Sequence, residues 1–243
     1  MWTFFHKMAS PKWFYDIGGK WITVCMSLAI MLLVAGVYQG LFNSPADYQQ
    51  GQSVRIMYIH VPAAFMSMFA YSTMAVAAAI GYIWRIKVAH MVAASVAPIG
   101  ASFTALALFT GAVWGKPTWG TYWVWDARIT SELILLFLFF GFMALRHAFD
   151  DVQMGDRAAG VLAMVGVVNL PIIHFSVEWW HTLHQGATLS QFKKPPMDPQ
   201  MLIAVLLMIA AFKLFFIASL FRRVRNEIVW RERGSQWVRE VLL

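Results

Sequence analysis

The fold class predicted is all-α, an integral membrane bundle of six transmembrane helices, and three observations predict it. Of the 243 residues, 60% are hydrophobic and only 13% charged, where a soluble domain carries roughly 25% charge. The apolar residues gather in six runs, at about 21–42, 58–84, 91–113, 129–149, 158–177 and 200–221. Each run reaches the roughly 20 residues that an α-helix needs to cross the hydrocarbon core. The Lys and Arg fall between the runs and favour alternate connections. The chain 1–243 therefore reads as a single six-span membrane domain whose first partner is the lipid bilayer.

Taken in order, the first run follows Lys7, Lys12 and Lys20, as a secretory signal would. It is about 22 residues long and has no clear small-residue cleavage site, so it is expected to remain as a transmembrane helix. The second run opens at His60 and Pro62, residues suited to a helix N-terminus. In the third, Ala93, Ala97, Ala101 and Ala105 recur every four residues, and in the fifth Ala159 and Ala163 do the same. Such small-residue stripes let helix backbones approach closely in lipid. Pro98 and Pro171 are expected to kink their helices, with Asn169 on hand to satisfy a freed backbone group. Lys213 in the sixth run calls for snorkelling or a partner helix.

Thirteen Lys and Arg fall on one side and five on the other. The excess predicts both termini in the cytoplasm, with outer loops at about 43–57, 114–128 and 178–199 and a basic cytoplasmic tail at 222–243. The net charge of +7 does not point to nucleic acid, because the basic residues sit between apolar runs and form no soluble basic face. Cys25 is the single cysteine, which excludes intramolecular disulfides, Cys-rich zinc sites and covalent C-x-x-C-H haem attachment.

The second outer loop is the richest in information. It holds Trp114, Gly115, Trp119, Trp123, Trp125, Asp126 and Arg128, and four of the chain's 12 tryptophans fall within it. Scattered Trp would form an interfacial belt. Clustered on one connection, stiffened by Pro117 and bent at Gly115 and Gly120, they are expected to form a rigid aromatic shelf for a planar apolar ligand. Arg128 either pairs with Asp126 or reaches an anionic group of that ligand.

Of the seven histidines, His6, His90 and His147 belong to the cytoplasmic side and are assigned no function. His60 precedes the Trp loop, and His181 and His184 follow it, all at outer ends of spans. Haem iron accepts axial imidazoles while its porphyrin needs aromatic and apolar walls. A competing metal reading uses His174, Glu178 and His181, spaced 4 and 3 apart on one helical face. The segment Gly111-Ala-Val-Trp-Gly115-Lys116-Pro117 superficially suggests a phosphate loop. It has three residues between the glycines where four are needed, and Pro where a magnesium-binding hydroxyl belongs.

The Trp loop with its Trp125-Asp126 pair, the six spans and the flanking histidines resemble the haem-handling membrane proteins of bacterial cytochrome c maturation, more narrowly the CcmC family. The segments Pro45-Ala-Asp-Tyr-Gln-Gln-Gly51, Trp114-Gly-Lys-Pro117 and Asn169-Leu-Pro-Ile-Ile-His174 extend the likeness over nearly the whole chain. Tyr122 stands where such proteins often carry another Trp, and Ile129 where Leu is common. The resemblance implies non-covalent haem b at the periplasmic face of the inner membrane. Its axial ligands to the iron would be His60 and His184, its platform Trp114, Trp119, Trp123, Trp125 and Asp126, and His181 a non-ligand neighbour. It implies delivery to the periplasmic chaperone CcmE, with the ABC-type subunits CcmA and CcmB and the small membrane protein CcmD as partners. Arg55 and Arg128 are expected to pair with haem propionates.

No enzymatic activity is expected. The alternatives are a haem lyase or synthetase acting on apocytochrome, which would call for a second pair of mid-membrane histidines absent here, and a membrane scaffold subunit of an ABC-type complex.

Overall fold

The computed structural model describes residues 7, 9–184, 186 and 197–242. His6, Lys193 and Lys194 lie outside the described residues. Helix α1 (Pro11–Tyr38) is prolonged by a π-helical turn (Gln39–Asn43), and a 3₁₀ turn (Gln52–Ile56) leads into α2 (Met57–Trp84). There follow α3 (Lys87–Trp119), α4 (Ala127–His147), α5 (Val152–Gly166), α6 (Asn169–Trp179), α7 (Pro199–Arg231) and the short α8 (Gln236–Leu242). Six stretches among them are long and apolar enough to cross a membrane: Pro11–Asn43, Gln52–Trp84, Lys87–Trp119, Ala127–His147, Val152–Trp179 and Pro199–Arg231. The molecule is thus all-α with six candidate membrane-spanning helices, as its hydropathy pattern requires.

Helices α2 and α3 pack along each other, α4, α5 and α7 close around them, and α1 rests mainly on α7. Tyr71, Met74, Phe103, Leu135, Phe139 and Phe216 fill the centre. Lipid tails are as apolar as these side chains, so close packing, more than water exclusion, holds such helices together. Gly100 shows how close: a Cβ there would lie 2.2 Å from the Phe139 ring. Ala93, Ala97, Ala101, Ala159 and Ala163 are buried, whereas Ala105 turns outward and leaves the stripe. At the end of the bundle that carries the termini, Asp156 pairs with Arg146 at 2.9 Å and Arg231 at 2.6 Å, and Glu227 joins both arginines. This network ties α4, α5 and α7 together.

Several expectations are corrected. The segment 114–119 is not loop: α3 runs on through Trp119 and ends only at Gly120, whose φ of +80° and N–H to the Lys116 carbonyl form a left-handed cap. Glycine adopts that conformation without Cβ strain. Gly115 is therefore a helical residue and no bend, and the Gly111–Pro117 stretch is continuous helix and no phosphate loop. Pro98 lies inside helix α3, which continues through it. Around Pro171 the fifth span does break, into α5 and α6, but Asn169 serves another partner, donating to the Ser131 carbonyl of α4 at 2.8 Å. Lys213 sits 5.3 Å over the ring of Phe69 on α2, an intrachain cation–π contact. The segment read as a basic tail continues α7 to Arg231, and Trp237 of α8 folds back against Tyr15.

Candidate functional site

Where the ends of α2, α3 and α4 meet the segment after α6, a cleft of about 220 Å³ opens, lined by His60, Trp114, Trp119, Arg128, His174 and His184 among others. A smaller recess of about 50 Å³ shares His60, Arg128 and His184 with it and continues inward to Trp123 and Glu132. Residues far apart in the chain converge here, each held by a local device.

His60 lies in the first turn of α2. Its Nδ1 is 3.0 Å from the Ala107 carbonyl and 3.2 Å from Thr110 Oγ1, both on α3. A carbonyl only accepts, so Nδ1 carries a proton, and in the neutral ring Nε2 keeps its lone pair. Gly111 makes the approach feasible, since a Cβ there would stand 2.9 Å from the imidazole Cε1. The Trp114 ring meets His60 edge-on at 5.6 Å. Its indole N–H donates to Gln50 Oε1 at 2.8 Å. Gln50 is itself placed by a tight turn in which Asp47 accepts from the N–H groups of Gln49 and Gln50, and Gly51 takes a φ of +57°.

His184 is anchored differently. Its backbone N–H donates to Thr182 Oγ1 at 2.9 Å, and its Nδ1 faces Asp126 Oδ2 at 3.2 Å. Asp126 is also the N-cap of α4, its Oδ1 accepting from the Ile129 N–H at 2.9 Å. One buried carboxylate thus starts a helix and orients an imidazole, again leaving Nε2 free. Burial holds the His184 imidazole below its usual pKa, with the Asp126 charge and hydrogen bond opposing and Arg128 reinforcing. The ring is then neutral at physiological pH, the form that can coordinate a metal. Trp119 packs edge-on against it at 4.6 Å. Gly115 is the notch that seats Trp119, for an added Cβ would come within 3.0 Å of that indole.

The remaining sequence candidates separate. Trp123 lines the inner recess, and its indole nitrogen is buried with no partner among the described residues. Trp125 stacks edge-on with Trp123 at 5.3 Å but is 73% exposed, so it faces away from the cleft walls. Arg128 lines both cavities, and among the described residues it makes no ion pair within 4.0 Å, so the Asp126–Arg128 bridge is not formed. Arg55 is spent elsewhere: it donates to Gly40 and Leu41 carbonyls at the end of the first span and to Gln52 Oε1 at 2.6 Å, and it does not line the cleft. His174 reaches the cleft, whereas His181 and Glu178 are exposed. No group of three His, Cys, Asp or Glu among the described residues could hold a metal ion, so the His174, Glu178, His181 site is not assembled.

Glu132 was missed by the sequence reading. It is buried, with Oε1 lacking a partner, at the inner end of the recess. As the sole acid in the fourth apolar run it carried a usable signal, because ionisable groups inside a span are costly and tend to be functional.

The fold and this cleft define a multi-span membrane protein that offers two oriented imidazoles and a guanidinium against an aromatic wall. The family model of CcmC, heme exporter protein C, matches residues 4–239, and the chain belongs to that family. It is 51% identical over 243 residues to heme exporter protein C of Escherichia coli K12, covering 100% of this chain and 98% of that protein. With the Haemophilus influenzae heme exporter protein C the identity is 49% over 239 residues, covering 98% and 97%. A ccmC-like mitochondrial protein of cytochrome c biosynthesis from Marchantia polymorpha is 38% identical over 211 residues, covering 87% and 89%. Haem export and cytochrome c biosynthesis are the setting of this family.

Proposed function

We propose that this chain binds haem b non-covalently, through His60 and His184 as axial ligands, and hands it to the periplasmic chaperone CcmE for cytochrome c maturation. The observation that carries the reading is chemical. Two imidazoles lining one cleft are each tied at Nδ1, one to a helix carbonyl and the other to a carboxylate, so that both present Nε2. Second-layer bonds of this kind fix the tautomer and raise the basicity of metal-binding histidines.

The donor set also suits the rest of haem. Trp114 and Trp119 supply aromatic wall beside the two rings, and the unpaired Arg128 suits a propionate, which guanidinium binds in a fork. Arg55, engaged by backbone carbonyls, has no part in it. When bound, haem contributes an iron that accepts two nitrogen ligands, and the protein contributes orientation and an apolar surround. The cleft opens at the end of the bundle that the Lys and Arg distribution assigns to the periplasm. There the exposed Trp125 and Tyr122 form a contact surface suited to a chaperone. CcmA, CcmB and CcmD are partners on the family resemblance, with ATP hydrolysis in the ABC subunits. The role is handling and transfer of haem, with no covalent chemistry on this chain.

Haem-loaded protein in detergent, mixed with the soluble domain of CcmE, is expected to lose its absorbance as the chaperone gains haem. Trp125→Ala is expected to keep the initial loading and slow the transfer. Loaded protein that retains its haem in the presence of the wild-type chaperone would contradict the transfer step.

A further inference from the structure

The arginines around the far end of α7 fall into two sets. Arg231 is fully engaged by Asp156 and Glu227. Arg222, Arg225 and Arg233 line a groove of about 840 Å³ between α7 and the beginning of α1. Among the described residues none of these three has an ion-pair partner. Arg222, Arg225 and Val229 follow the 3 and 4 spacing that keeps side chains on one face of α7, and Arg233 lies in the turn just past its end.

Arg225 is the most informative of the three. Its guanidinium lies 4.0 Å over the centroid of the Tyr15 ring, and its Nε is buried with no acceptor. Gly19 on α1 opens the notch for it, since a Cβ there would stand 3.1 Å from Arg225 Cζ. A buried guanidinium N–H without an acceptor is costly unless an anion meets it. Arg233 lies 5.9 Å over Trp230 at the same rim. Val229 sits on the wall between Arg225 and Arg233, and further along α1 the wall turns apolar at Ile22 and Met26, both within the membrane-spanning stretch Pro11–Asn43.

We propose that this groove binds one anionic phospholipid of the surrounding bilayer, its phosphate against Arg222, Arg225 and Arg233 and an acyl chain along Ile22 and Met26. Guanidinium forks match phosphate oxygens in pairs, and basic pockets between transmembrane helices are suited to anionic headgroups. The paired Arg231 marks the contrast: arginines that serve the fold have carboxylates, and those in the groove wait for a ligand from outside the chain. This site lies at the opposite end of the bundle from the histidine cleft and is independent of haem.

The test uses the purified full chain in phosphatidylcholine bicelles with and without phosphatidylglycerol, counting retained lipids by native mass spectrometry. One phosphatidylglycerol per chain is expected, retained in preference to phosphatidylcholine. The double variant Arg222→Gln/Arg233→Gln, at exposed positions that leave the fold intact, is expected to weaken retention roughly thirtyfold. Arg225→Lys, which keeps the charge but not the planar fork, is expected to weaken it less. Arg85→Gln/Arg157→Gln removes the same charge from the same end outside the groove and is expected to retain the lipid as wild type does. Equal loss in that control, or no preference for phosphatidylglycerol, would reduce the effect to general surface attraction and overturn the proposal. So would inorganic phosphate displacing the lipid, which would assign the arginines to a free anion.

Discussion

The Nδ1 of His184 lies 3.2 Å from Oδ2 of Asp126, while the other oxygen of the same carboxylate caps α4. Structure and function can therefore be separated by one atom. Asparagine caps a helix about as well as aspartate, so Asp126→Asn is expected to leave thermal stability nearly unchanged. With its oxygen kept on the Ile129 N–H, it would turn an amide N–H toward His184 and favour the tautomer protonated at Nε2. Haem affinity is expected to fall 10- to 100-fold, the usual cost of losing such a partner. Asp126→Ala is expected to lose the affinity and also about 1 kcal/mol of stability with the cap. Parallel melting and haem titration of the two variants check this.

His60 is held by two acceptors, and they are not equivalent. Thr110→Val removes the hydroxyl but leaves the Ala107 carbonyl in place, so haem affinity is expected to change only a few-fold. Gly111→Ala pushes on the ring itself, from 2.9 Å, and is expected to shift the absorption spectrum of bound haem. An unaltered spectrum in Gly111→Ala would show that His60 does not need that contact.

Acidification separates the two histidines from the fold in a definite direction. Burial lowers the His184 pKa in the folded protein, against the pull of Asp126. Between that value and the unfolded value of about 6.5, the unfolded chain holds the extra proton. Stability is therefore expected to be fully present above pH about 6.5 and to decline as pH falls through this window. Haem retention by the folded protein is expected to hold across this interval and to decline only as pH falls through the lowered folded value, because a protonated imidazole has no lone pair for iron. A spectroscopic titration with Asp126→Ala alongside is the check. Removing the carboxylate is expected to push the pKa further down and to move the titration to lower pH.

The two arginines offered for propionates part company. Arg128→Ala is expected to weaken haem retention without lowering stability, since that side chain has no ion-pair partner among the described residues. Arg55→Ala is expected to leave the haem spectrum alone and to destabilise the end of the first span by about 1–2 kcal/mol, through loss of its bonds to Gly40 and Leu41 carbonyls. Haem loss in Arg55→Ala would contradict the assignment.

The fold class was legible because hydropathy acts over whole helices: six apolar runs in the sequence correspond to six spans, with ends shifted by a few residues to ten. The ends were not legible for a physical reason. Trp114–Trp119 looks like loop by its Gly and Pro content, yet an α-helix tolerates Pro117 and closes at the first glycine that adopts a positive φ, Gly120. At the site, His60, His181 and His184 were legible as histidines flanking the Trp cluster, and the family resemblance singled out His60 and His184. Their acceptors were less legible: Ala107 acts through a carbonyl, which carries no sequence signature, and Asp126, read as part of the platform, meets His184 across 58 residues. Arg55 and Arg128 look alike in sequence, and only packing shows that backbone oxygens have already taken one of them.

The most direct measurement is the visible absorption spectrum of the purified protein supplied with haem, in both oxidation states, beside His60→Ala and His184→Ala. A low-spin spectrum in the wild type that either substitution weakens or converts would bear out two imidazole ligands from this cleft. A haem-free wild type, or a spectrum unchanged in both variants, would contradict it.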